Sequence, residues 1–328
     1  MTNVVRVVAI LLTLTAVDVG LPSSHAQQTA KIPRIGRLGA GFPVKPLDAA
    51  FSQGLREFGY VDRQNIVVEY RYAEGKSDRL AELAAALARM KVDVIVAGSG
   101  ASIYAAHKAT KSIPIVMAQS AVPLASGLVD SLANPGGNIT GVTSYYPVSR
   151  GKIVEIFKEA IPKLRRLAVI RNPSNPGNGE GLKAMEAAAR AMHVRLQLIG
   201  VQSLEQIENA FAAIINEQAN GVFITNSPFI RAHATRINEF MTSRRLPTIY
   251  VDKLYVEAGG LMSYGVDIAE LYRRSAFYVD QILKGVKPGD LPIERSTNFE
   301  LVINLRTAKQ IGVTIPPAVL MDADRVIK

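Results

Sequence analysis

The amino-acid sequence predicts an α/β protein of two doubly wound parallel-sheet domains, and three observations carry that expectation. The chain has 328 residues, above the roughly 250–300 that a single hydrophobic core serves. Short apolar runs rich in β-branched residues alternate with amphipathic helical stretches, the pattern of successive βαβ units. The alternation pauses near 144–148 and then restarts with runs of similar length. The second half is thus an architectural duplicate of the first without repeating its sequence.

In the first half, residues 35–38 form an apolar run, followed by a helical stretch over 49–58 that Gly59 closes. Residues 65–72 read as a β-branched and aromatic strand. Ser77 or Asp78 can cap the next helix, in which Leu80, Leu83, Ala84 and Leu87 fall on one face. The runs 92–97 and 113–118 are continuous apolar segments of the kind a parallel sheet buries on both faces, with a helix over 102–108 between them. A further strand, 139–143, follows the turn 134–138. In the second half, strands are expected at 167–170, 194–201, 221–225, 247–250 and 261–264. Helices are expected at 179–192, from the capping-box spacing at Ser203 and Gln206 to about 216, at 229–244 and at 267–284.

Composition removes several function classes. The chain has no Cys, which excludes disulfides, thiolate metal sites, a Cys nucleophile and a lipid-modified N-terminal Cys. The formal charge of +10 raises a nucleic-acid reading, but the basic residues are scattered in pairs such as Arg165-Arg166, Arg244-Arg245 and Arg273-Arg274 rather than gathered in one stripe with aromatics. No nucleic-acid partner is expected. Residues 1–26 resemble a signal peptide, with a basic Arg6, an apolar run over 7–17 and Ser24-His25-Ala26 as the cleavage site. Asp18 interrupts that run well short of the roughly 20 residues a spanning helix needs. A periplasmic protein, cleaved after Ala26 and not inserted in the membrane, is the expectation.

In open parallel sheets ligands bind beyond the carboxyl ends of the strands, where helix N-termini present free N–H groups. The strand-to-helix turns are therefore the candidate site. In the first half they offer Gly41 and Phe42, then Ser99, Gly100 and Ser102, then Gln119 and Ser120. In the second half they offer Asn172 and Asn175, then Asn226 and Ser227, then Asp252. The turn 98–102 has two readings: an anion site, with glycines for close approach and serine hydroxyls beside helix N–H groups, or a plain turn with Ser102 as N-cap. Catalytic and cofactor signatures are missing. Gly36, Gly39 and Gly41 do not make GxGxxG, no GxxxxGK[ST] or GxSxG occurs, and His107, His193 and His233 stand alone. No enzyme, metal or cofactor is expected.

Several phrases carry a resemblance: FSQGLREFGY at 51–60, NIVVEY at 65–70, AEG at 73–75, VDVIV at 92–96, NPGGNITG at 134–141 and GGLMSYG at 259–265. Together with FELVINL at 299–305 and IPP at 315–317, they resemble the periplasmic solute-binding components of ABC transporters, in the branch related to bacterial tryptophan-binding proteins. The resemblance covers essentially the whole chain after the signal segment. It implies the type I periplasmic-binding fold, with three crossovers forming a hinge near 144–147, 264–267 and 287–292. One lobe would comprise 31–144 plus 265–288, and the other 145–264 plus 289–328. It also implies a monomeric receptor that closes on a small-molecule solute and delivers it to a permease with a cytoplasmic ATPase subunit. The solute class implied is an amino acid or a related aromatic acid.

On that reading a carboxylate is expected at 98–102, an ammonium partner at Asp252, and ring-stacking walls from Phe42, Tyr145, Tyr146, Tyr250 and Tyr264. Two departures from the family pattern lower the cleft's expected acidity: Val122-Pro123 and Ser227-Pro228 stand where many relatives have Asp-Pro. The solute is therefore expected to be carboxylated without a strong requirement for an ammonium group. A periplasmic sensing subunit with the same fold and an exported α/β enzyme are the alternative functions.

Overall fold

The computed structural model describes residues 31–120, 127–144, 149–173 and 178–328. The expected signal segment, the Val122-Pro123 departure, Tyr145, Tyr146 and Asn175 lie outside the described residues.

The first series runs β1 (Arg34–Gly39), α1 (Lys45–Glu57), β2 (Val67–Tyr72), α2 (Ser77–Arg89), β3 (Val94–Ala97), α3 (Gly100–Ala109), β4 (Ile115–Met117) and β5 (Ile139–Thr143). The second runs α4 (Ser149–Ala160), β6 (Arg166–Arg171), α5 (Asn178–Ala191), β7 (Arg195–Gly200), α6 (Leu204–Asn216), β8 (Gly221–Ile224), α7 (Pro228–Ala232), α8 (Ala234–Ser243), β9 (Thr248–Tyr250), α9 (Lys253–Glu257) and β10 (Met262–Val266). The chain continues with α10 (Ile268–Leu283), β11 (Glu294–Arg295), β12 (Phe299–Asn304), α11 (Leu305–Ile311), α12 (Pro317–Met321) and β13 (Arg325–Ile327).

These strands form two sheets, ordered β11-β5-β4-β3-β1-β2 and β13-β12-β10-β9-β8-β6-β7. Pairing is parallel throughout except between β10 and β12. In each series the chain starts in a central strand, moves to the edge and then reverses. The reversal brings the ends of β1 and β3 together in one sheet and those of β6 and β8 together in the other. Such switch points open a crevice at the carboxyl ends of the strands.

Burial follows from the apolar runs. Val94, Ile95, Val96 and Ala97 are all buried, as are Val222, Phe223 and Ile224, because helices cover both sheet faces. One face of the first sheet packs on Phe51 and Leu55 of α1 and on Leu271, Ala276 and Val279 of α10. The other packs on Leu80, Ala84 and Leu87 of α2 and Ile103 of α3. In the second sheet, α4, α5 and α11 supply Phe157, Met185 and Ile311 to one face, while α6 and α8 supply Phe211, Ile237 and Met241 to the other.

The helix after β10 returns to the first sheet. Asp267 caps it by accepting the N–H of Ala269 at 2.9 Å, and its other oxygen pairs with Lys253 Nζ at 2.7 Å. Lys253 also holds Glu300 of β12 at 3.0 Å, so one ammonium joins two of the segments that pass between the sheets. The final pass follows β11, whose Glu294 and Arg295 pair with Val142 and Thr143 of β5; the crossing at 287–292 expected from sequence falls just before that strand. The single helix expected over 229–244 is two. His233 leaves helical geometry at φ −111° and ψ 15°, ending α7 and starting α8. The helix α4 and the strands β12 and β13 are elements beyond those expected from the alternation, although Ile153, Ile156, Phe157 and Ala160 give α4 a helical stripe.

Buried tyrosines limit alkaline stability. Burial is the first cause that raises the hydroxyl pKa values of Tyr72, Tyr250, Tyr255 and Tyr278; Asp48 adds to it at Tyr72 and Glu294 at Tyr278. The native state therefore keeps protons that the unfolded chain releases from about pH 10 upward, and stability falls as pH rises through that value. Urea midpoints measured from about pH 8 to 11 should drop toward the alkaline end, with tyrosinate absorbance appearing only as the chain unfolds. A flat profile, or ionisation ahead of unfolding, would contradict this burial.

Candidate functional site

The crevice between the two sheets is a cleft of about 1160 Å³. The first lobe contributes the turns after β1, β3 and β4, and the second contributes the start of α4 and the turns after β6, β7 and β8. At its base stand Tyr264 and Phe299, whose rings stack at 5.4 Å across the antiparallel pair β10 and β12. The lobes also touch at Gly41 and Pro228. A Cβ at Gly41 would lie 3.1 Å from Pro228 Cβ, so these two turns approach to contact because residue 41 has no side chain.

Of the residues expected at the site, Gly41, Phe42, Ser99, Gly100, Gln119, Ser120, Asn172, Asn226, Ser227 and Tyr264 line the cleft. Phe42 stands at the rim, 54% exposed. Asn226 accepts the Tyr255 hydroxyl at 3.1 Å, and Asn172 accepts Gln202 Nε2 at 3.0 Å. Ser227 caps α7 by accepting the N–H of Ile230 at 3.1 Å.

Three expected residues do not line it. Ser102 is fully buried, and its hydroxyl donates to the Ser99 carbonyl at 2.9 Å. Ser99 rather than Ser102 is the N-cap of α3, in a capping box in which each serine satisfies a backbone N–H of the other. Tyr250 points into the second lobe's core, where its ring stacks on Tyr255 at 4.9 Å and its hydroxyl donates to Asn238. Asp252 is 2% exposed, accepts the N–H of Leu254 at 3.0 Å to cap α9, and has Oδ2 2.7 Å from Arg231 Nη2. An ammonium partner at Asp252 is therefore not what the fold provides. A guanidinium of the protein already occupies that position, close but outside aligned hydrogen-bond geometry at Oδ2.

Sequence reasoning missed the charged groups of the site. Arg37, Arg150 and Arg231 all line the cleft, and the described lining residues include no aspartate or glutamate. Arg37 is 3% exposed in the middle of β1, with its guanidinium 4.5 Å from the ring centroid of Tyr272 and 6.0 Å from that of Tyr72. Its Nη1 donates to the Leu38 carbonyl at 3.0 Å. Its Nε is 3.6 Å from Asp48 Oδ1, an ion pair too long for a hydrogen bond. Burial works to lower its pKa, but Tyr272, Tyr72 and Asp48 outweigh that and raise it. Arg231 behaves likewise: burial is opposed chiefly by Asp252, and the net direction is upward. Arg150 has no such partner among the described residues, and burial lowers its guanidinium to about 10.

The turn glycine Gly98 fits this arrangement. A Cβ there would lie 1.7 Å from the Tyr272 hydroxyl and 3.3 Å from Arg37 Nη2. The missing side chain is what lets α10 bring its tyrosine over the arginine. Chemically, the cleft offers cations, helix N–H groups and aromatic faces. It can bind a small anion with a flat or apolar body.

Comparison with known proteins bears on the family and the fold. A curated relative, the tyrosine-binding protein of Clostridioides difficile (strain R20291), is 26% identical over 263 residues, covering 80% of this chain and 75% of that protein. Among solved structures, the ABC domain in complex with L-Trp from Streptococcus pneumonia is similar with a TM-score of 0.83 and 26% identity, covering 90% of this chain and 99% of that one. A conserved domain protein from Vibrio cholerae gives a TM-score of 0.84 at 27% identity, covering 90% of this chain and all of its own. The profile of the ABC transporter substrate binding protein family matches residues 47–327, and the chain belongs to that family.

Proposed function

We propose that this protein is the extracytoplasmic receptor of an ABC importer, which closes its lobes on a small carboxylated solute and delivers it to a membrane permease with its ATPase subunit. The observation that carries the carboxylate is the charge of the cleft: three arginines and no acid among the described lining residues. Asp48 and Asp252 are already paired with Arg37 and Arg231, and Asp267 and Glu300, adjacent in sequence to lining residues, with Lys253. An incoming ammonium group would meet cations without a free counter-charge, whereas a carboxylate would meet guanidinium forks suited to it. The aromatic pair Tyr264 and Phe299 and the rim residue Phe42 favour a solute with a flat apolar body. The tyrosine- and L-Trp-binding relatives handle solutes with that kind of body. The signal-like pattern of residues 1–26 supports export, and among the described residues no helix is long and apolar enough to cross a membrane.

Calorimetry on protein stripped by unfolding and refolding tests the reading with three matched sets: aromatic amino acids, the same skeletons without the amine, and the same skeletons without the carboxylate. The amine-free acids should bind within about tenfold of the amino acids or more tightly, and the amines should give no heat. Binding confined to the amino acids, or shared by the amines, would refute it.

A further inference from the structure

The second lobe holds a cationic alcove that opens beside the cleft. It measures about 20 Å³, the size of one water or one oxygen of an acid group, and shares Arg150 and Gly181 with the cleft wall. Two guanidiniums reach it. Arg150 comes from the start of α4 and Arg171 from the end of β6. Arg150 Nη1 and Arg171 Nε are both buried without a hydrogen-bond partner, and no ion pair joins either residue to a described carboxylate.

A cation–π contact with Phe223 accounts for this placement only in part. Arg150 sits in the first turn of α4, the positive end of the helix dipole, where a cation is unfavourable. Its guanidinium lies 5.2 Å from the Phe223 ring centroid, and beyond the two arginines the alcove is walled by mostly apolar groups, Val169, Leu182 and Met185, with Thr225. Burying an uncompensated charge among apolar side chains costs stability, and each donor left without a partner adds to that cost. The chain also makes room for the arrangement: a Cβ at Gly181 of α5 would lie 2.9 Å from Arg150 Cγ. Two guanidiniums with unpartnered buried donors, brought to one alcove beside a ligand cleft, are explained by an anion that arrives with the ligand.

We infer that the solute is a dianion, an aromatic or apolar dicarboxylate, with one acid group on the first lobe at Arg37 and the second in the alcove at Arg150 and Arg171. The inference rests on the carboxylate reading above and narrows it. The alcove accepts one oxygen of the second acid group, while the body of the solute stays between the lobes. Because the two cationic walls belong to different lobes, a dianion ties them together and favours the closed form.

The test compares each member of a short series of aromatic dicarboxylates, differing in the spacing of the two acid groups, with its own monomethyl ester. The ester preserves shape and removes one charge. At least one diacid should bind the wild-type protein about tenfold or more tightly than its ester, and Arg150→Gln or Arg171→Gln should reduce that ratio to about threefold or less. Equal binding of diacid and ester across the series overturns the inference and leaves the carboxylate reading standing. A preference that survives both substitutions overturns it as well. Failure of diacids, esters and amine-free acids alike, with amino acids still bound, overturns both. The wild-type comparison requires no variant to fold.

Discussion

Gly54→Ala should destabilise the protein by about 3 kcal/mol or more, although alanine is the better helix former by about 1 kcal/mol. Gly54 lies within α1, where propensity alone favours the replacement. A Cβ at that position, however, would stand 2.2 Å from the Arg273 carbonyl oxygen and 2.9 Å from Ala276 Cβ. The first of these is backbone of α10 and cannot rotate away. The helices would have to part, opening the core that Phe51 and Leu55 share with Leu271, Ala276 and Val279. Urea unfolding measures the loss. Adding Ala276→Gly removes the second clash and leaves the first, so the double variant should recover only a minor part. Because α10 begins just after Asp267 and carries Tyr272 to the cleft, the same variant should also bind its solute less well. A Gly54→Ala protein as stable as the wild type would show that the two helices are not locked together at this point.

The return of α10 illustrates what the residues alone could and could not reveal. Its amphipathic pattern from Asp267 to Lys284 is plain in the sequence, as are the buried runs at 94–97 and 221–224. Parallel strands covered on both faces are apolar at every position, so their signal survives without an alignment. The partner of a helix is a different matter, since an apolar stripe fits any apolar face. What identified the first lobe as the destination was the family resemblance, and what fixes the contact is Gly54. The helix over 149–160 is legible, since Ile153, Ile156, Phe157 and Ala160 mark one face of it, although it is not among the expected elements; the last strand, β13, has only three residues, too few for a period.

The site divides along the same line. Strand-end turns are marked by glycine and small polar residues, so Gly41, Ser99, Gln119, Asn172 and Asn226 could be named from sequence. Which side chain of a turn faces the ligand depends on strand register and capping, and there the reading failed. Ser102 and Asp252 are capping groups, and Tyr250 falls on the core side of β9. The arginines had a usable signal that composition hides. A basic residue at position 37, flanked by Ile35, Gly36 and Leu38 in a strand, is seldom buried unless it is paired or employed. Arg231 and Asp252 are 21 positions apart and meet only through the fold of the second lobe. The net charge of +10, dispersed as it is over the surface, therefore includes a small local excess that is not dispersed at all.

Arg37→Met separates the binding role of that excess from its structural role. Methionine keeps the apolar stem between Tyr72 and Tyr272 and removes the guanidinium, so carboxylate affinity should fall by about a hundredfold. Stability should fall too, by about 3 kcal/mol, because Asp48 is left as an unpaired carboxylate beside the core. A loss of binding in this variant alone could then reflect a loosened lobe. Asp48→Asn in the same chain resolves the two effects. It removes the orphaned charge while leaving an oxygen to accept the Tyr72 hydroxyl, which donates to Asp48 in the wild type. The double variant should therefore recover most of the stability and none of the affinity. Arg37→Lys gives a further division: an ammonium restores the charge but neither the fork nor the stacking over Tyr272 at 4.5 Å, so its affinity should lie between those of the wild type and the methionine variant. If the double variant binds as the wild type does, Arg37 serves only to neutralise Asp48, and the carboxylate must be held by another wall of the cleft.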